Sequence, residues 1–132
     1  MARVYDLPDR LIDFSARIID VVDALPDTRA GTHIANQLLR CGTSPAPNHG
    51  EAQSAESPSD FIHKMKIALK ELRESKIWLR LIQRKEMIKP TVRLAPLLKE
   101  CEELIAIFYS SISTAQKNLD AGSVSSGHGK TV

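Results

Sequence analysis

Apolar residues recur at three- and four-residue intervals through four segments of the chain, the spacing that puts one apolar stripe on one side of a helix. Residues 7–25 carry Leu11, Phe14, Ile18, Val21 and Leu25. Pro8 suits a first turn, where its missing N–H has no intrahelical partner, and Pro26 ends the segment. Asp27 or Thr28 then caps a second helix built on Ile34, Leu38 and Cys41, with Ala35 and Leu39 widening the stripe. Pro45 and Pro47 each remove a backbone donor, which predicts a kink near 43–47 and a second helical piece running to about Ala55.

The longest uninterrupted pattern is 57–87. Ser57, Pro58 and Asp60 form a variant capping box at its start. Phe61, Met65, Ala68, Leu72, Ser75, Leu79 and Ile82 fall on the heptad core, flanked by Ile62, Leu69, Trp78 and Leu81. A link over 85–90 leads to a fourth helix that starts between Thr91 and Ala95. It carries Leu94, Leu97, Leu98, Cys101, Leu104, Ile105, Phe108, Ile112, Ala115 and Leu119. The pattern therefore predicts an all-α, antiparallel up-and-down four-helix bundle over 1–120, with helix two kinked near Pro45 and Pro47. The Gly- and Ser-rich residues 121–132 have no apolar period and read as a disordered C-terminal tail.

Composition narrows the function classes. The 132 residues make one domain's worth of chain, and the net charge of +2 forces neither a nucleic-acid nor a membrane partner, so the placement of charge matters more than its sum. The two cysteines, Cys41 and Cys101, lie in apolar helical patterns without CxxC spacing and read as buried reduced thiols of a cytoplasmic protein. The N-terminal residues lack an apolar leader pattern, and the longest uncharged apolar run, 104–116, is too short to span a bilayer. No membrane segment is expected.

Chemistry-bearing clusters are sparse. Gly129, Lys130 and Thr131 mimic the end of a phosphate loop, but Val124 stands where its first glycine belongs and no helix follows. No nucleophile elbow, Cys/His dyad or glycine-rich nucleotide loop is present, so no catalytic residues, cofactor or metal are expected and the protein reads as a non-enzyme. Glu71 and Glu74 lie three apart on the long helix and Glu51 follows the kink, which keeps a helical metal protein or enzyme using Glu51, Glu71, Glu74 and His49 as the alternative. The preferred reading makes Arg40, Asn48, Glu51, Glu71 and Glu74 a structural polar network, with Arg40, Asn48 and Glu51 bonding around the proline-broken backbone.

One charge pattern is sharper. The outward heptad positions of the long helix hold His63, Lys66, Lys70, Arg73, Arg80 and Arg84, interrupted by Ile77. Like charges four apart cost a few tenths of a kcal/mol each. Lys66, Lys70, Arg73, Arg80 and Arg84 are thus candidates for tracking the phosphate backbone of RNA or DNA, although no interleaved aromatics supply base stacking. From the charges alone, a solvated helix face that serves only solubility is the preferred reading.

Residues 34–82 closely resemble a family of bacterial four-helix bundle proteins named after intervening sequences of 23S rRNA genes. QLLR at 37–40, the TS pair at 43–44, N-x-x-E-A at 48–52, and then DFI-x-K, IALKE and WLRL follow in the family's order. The resemblance implies a small antiparallel four-helix protomer that assembles as a homopentamer. It also implies kinship with the accessory variability proteins of diversity-generating retroelements, which bind nucleic acid through basic surfaces and work with a reverse transcriptase. A reverse transcriptase or another protein of a mobile element is accordingly an expected partner class. The chain departs from the family pattern at Pro45, Pro47 and His49, where an Ile-x-Ala-Asn-Ile type run is usual.

Overall fold

Prolines and capping side chains set the helix boundaries. The computed structural model describes residues 6–131, with side chains over 6–122. It comprises α1 (Leu7–Ala24), α2 (Arg29–Thr43), α3 (Pro45–Gln53), α4 (Pro58–Arg84), a 3-10 turn (Thr91–Leu94) and α5 (Ala95–Thr131). The fold is an all-α four-helix bundle in which α2 and α3 together make the second helix. The predicted disordered tail, 121–132, lies outside the residues described with side chains, except for the exposed Ala121 and Gly122.

Leu25 closes α1 in extended backbone, the conformation that the following Pro26 favours for its predecessor. The Thr28 side chain accepts from Gly31 N–H at 3.0 Å, and the Ser57 side chain accepts from Asp60 N–H at 3.0 Å, each satisfying an orphan amide of a first turn. Gly31 is required where it stands: a Cβ there would lie 2.0 Å from the Pro26 carbonyl oxygen. The long helix ends three residues short of the predicted Met87. Met87 N–H bonds Ile82 C=O and Glu86 N–H bonds Gln83 C=O, a Schellman closure with Glu86 in the left-handed region at φ 51°.

The second helix breaks in its hydrogen bonding, while its local backbone stays helical. Ser44 keeps helical dihedrals, φ −77° and ψ −35°, although it precedes a proline. Pro45 and Pro47 withhold the amides that would reach back one turn. Asn48 takes up part of the slack, donating Nδ2 to Ser44 O at 3.0 Å and to Ser44 Oγ at 2.8 Å. Just before the break, Gly42 lets α2 close on α1, since a Cβ there would lie 2.7 Å from Ile18 Cγ2.

α1 packs on α2, α3 and α5, and α4 packs on the same three, so α1 and α4 occupy opposite corners of the bundle. The core between them contains Leu11, Phe14, Ile18, Leu38, Met65, Leu72, Leu79, Ile82, Leu104 and Phe108. On α4 the heptad expectation misplaces one residue: Ile62 is buried, and Phe61 is only half-buried against the core. Ser75, the polar member of the heptad core, is fully buried and donates to Glu71 O at 2.8 Å, with its Oγ 3.3 Å from Cys41 Sγ. Both cysteines are free and buried. Burial pushes the Cys41 thiol up to about 11 and the Cys101 thiol up to about 12, which keeps both protonated and unreactive.

Candidate nucleic-acid interface

α4 is a 27-residue helix buried along one edge only, so its opposite edge is free to carry charge. Lys66, Lys70, Arg73, Arg80 and Arg84 are all exposed along that edge, with His63 at its start. At 1.5 Å per residue the five cations span about 27 Å. None of the five has an ion-pair or hydrogen-bond partner among the described residues.

Other cations nearby are occupied. Lys64 Nζ pairs with Glu51 at 2.8 Å and Lys76 Nζ with Glu102 at 3.3 Å. The outer edge is thus distinguished by exposure and by the lack of compensating acids. It is not uniform: toward its C-terminal end Ile77 is 65% exposed and Leu81 38% exposed, and both line a shallow depression with Arg80 and Arg84. Trp78 does not join this face. It is half-buried, donates Nε1 to Glu74 Oε2 at 3.1 Å, and meets His33 edge-on with ring centroids 5.9 Å apart.

The five residues expected to form one polar network divide into three sites. Arg40 reaches Glu71 Oε1 at 3.1 Å and also bonds Glu74 Oε2, clasping α2 to α4. Asn48 stays at the proline break with Ser44. Glu51 points away toward Lys64, so it joins neither Arg40 nor the other carboxylates. His49, the imidazole weighed as a metal ligand, is 5% exposed, lies edge-on to Phe108 at 5.7 Å and meets Gln53 Nε2 at 3.2 Å. Burial lowers its pKa. Among the described residues no group of three His, Cys, Asp or Glu side chains is gathered as a metal site requires.

Two features went unanticipated. Arg10 is buried and donates to Glu100 Oε1 at 2.6 Å and to Glu103 Oε1 at 3.2 Å, joining α1 to α5. The outer face of α1 carries exposed Asp9, Asp13, Asp20 and Asp23, whose four-, seven- and three-residue spacing was the available signal. No helix among the described residues is long and apolar enough to cross a membrane.

The fold and the exposed charge define a small helical bundle with a basic edge on its longest fully described helix. The sequence model of the 23S rRNA-intervening sequence proteins matches residues 6–110, and the chain belongs to that family. It is also similar to a crystallised protein of unknown function from the S23 ribosomal protein family of Bacteroides thetaiotaomicron VPI-5482. That likeness has 32% identity and a TM-score of 0.74, and covers 83% of this chain and 96% of the other. No curated protein matches.

Proposed function

We propose that this protein is a non-enzymatic, homo-oligomeric accessory or scaffold protein that holds RNA or DNA by its phosphate backbone along the outer edge of α4. The carrying observation is the row of five exposed cations without intrachain partners, Lys66, Lys70, Arg73, Arg80 and Arg84. Such a row displaces condensed counterions from a polyanion, giving binding that weakens steeply with salt and is indifferent to sequence. The absence of an exposed aromatic on this edge favours backbone contact over base stacking. The oligomer, a pentamer by the family resemblance, would repeat the edge and multiply a weak contact by avidity.

Filter retention of RNA and of duplex DNA at two salt concentrations tests the reading. Changing Lys66, Lys70 and Arg73 to Glu should lower affinity at least tenfold, and each lost phosphate contact should reduce the salt slope by about 1. Retention that is absent in the native protein, or unchanged in the variant, overturns it.

A further inference from the structure

The outer faces of α1 and α4 differ in charge and match in pattern. α1 presents Asp9, Asp13, Asp20 and Asp23 with Ile12 59% and Ile19 43% exposed beside them. The C-terminal half of α4 presents Arg80 and Arg84 with Ile77 65% and Leu81 38% exposed between and beside them. None of these four aspartates or two arginines has an ion-pair partner among the described residues. The two faces stand at opposite corners of the bundle and cannot satisfy each other within one chain.

They also overlap in height. Ser15 and Ile18 meet Gly42 while Cys41 beside it meets Ser75, which sets the middle of α1 about level with Ser75 on α4. The longer side chains of Arg10, on Glu100 and Glu103, and of Lys76, on Glu102, set α1 a few residues further along. α1 and α4 run parallel in an up-and-down bundle, so Asp13 and Asp20 fall within the stretch of α4 from about Lys70 to its C-terminal end. The acidic, apolar-flanked stretch of α1 therefore faces outward on the side of the bundle opposite α4.

We infer that the α1 face of one copy docks on the Ile77–Arg84 face of the next copy, a head-to-tail contact in which Ile12 and Ile19 meet Ile77 and Leu81 while Asp13 and Asp20 meet Arg80 and Arg84. This rests on the homo-oligomeric part of the reading above and names the surface that carries it. A second copy is the occupant because one chain carries both complementary halves, overlapping in height and opposite in sign. A heterologous contact without axial shift returns on itself as a closed ring, while one with a shift builds a filament. The basic edge is thereby divided: Arg80 and Arg84 serve assembly, and Lys66, Lys70 and Arg73 remain open to phosphate.

Native mass spectrometry or light scattering at micromolar concentration tests the contact. The native chain should show a multi-subunit mass. Arg80→Asp with Arg84→Asp, or Asp13→Arg with Asp20→Arg, should fall to the single-chain mass, raising the midpoint concentration of assembly on the order of a hundredfold with helical circular dichroism retained. All four changes in one chain should restore the assembly. Lys66→Glu with Lys70→Glu should keep the native mass while weakening retention of RNA, so the loss of either property is separable from the other. An assembled native protein whose mass survives either reversal, or a quadruple variant that stays a single chain, overturns the contact alone. A native single chain overturns both the contact and the oligomeric reading.

Discussion

Arg10 and Arg40 each leave one helix to clasp two glutamates spaced three apart on the next, Glu100 and Glu103 on α5 for one, Glu71 and Glu74 on α4 for the other. The geometry is nearly the same and the surroundings differ. The Arg10 side chain is 8% exposed against 51% for Arg40. In the first clasp the charge has lost its water and depends on the carboxylates to replace it. In the second, solvent screens the attraction and stands ready to take over either partner. Similar hydrogen bonds thus make one clasp a structural requirement and the other a modest adhesive.

The largest expected effect comes from Arg10→Ala, which strands Glu100 in a partly dry site and should cost about 3 kcal/mol, or a fall in Tm of roughly 10 °C. Replacing Arg10 and its drier partner, Arg10→Met with Glu100→Leu, should come within about 1 kcal/mol of the native protein in urea unfolding, because the one carboxylate left without a partner, Glu103, is half-exposed and keeps its water. A loss below 1 kcal/mol in the single variant would remove burial as the distinguishing cause.

His49 extends the comparison to a buried group without a counter-ion. Its pKa is lowered by burial, so the unfolded chain takes up the proton first as the pH falls. Its full stabilising contribution is present above the ordinary histidine range and is lost below it, at no more than about 1.4 kcal/mol per pH unit. The charged ring would turn a donor toward the Gln53 amide nitrogen and sit against the Phe108 ring, with no carboxylate bonded to it. Denaturation midpoints measured from pH 7.5 to pH 5 should fall in the native protein, and fall less in His49→Gln.

The smallest effect belongs to Arg40→Ala, expected to lower the denaturation midpoint far less than Arg10→Ala does and to leave no difference in 1 M salt. If it matches Arg10→Ala, the contrast between the two clasps is lost.

The helices were legible because each depends on local chemistry. Thr28 and Ser57 act as caps in the structure as their positions announced, and Pro26 ends α1 because a proline's effect reaches only its own turn. Membership of the family was legible too, through motifs that lie in register along 34–82. The polar groupings were less so. Arg40, Asn48 and Glu51 are near in sequence, yet they point to Glu71 and Glu74, to Ser44 and to Lys64 respectively, because helical rotation turns close neighbours toward different elements. Arg10 was missed because its partners lie 90 and 93 residues away. His49 looked polar and available, and only the packing of α3 against Phe108 buries it.

By itself the sequence determined four amphipathic helices, their caps, the proline break and a basic outer edge on the longest helix, since all of these follow from periodicity and from effects that span a few residues. The tertiary structure alone decided which charges are dry and which are wet, which carboxylate each arginine holds, and that the acidic face of α1 and the mixed face of α4 stand at opposite corners. Those outcomes depend on how far and at what angle the helices lie from one another, and side chains distant in the chain set that packing.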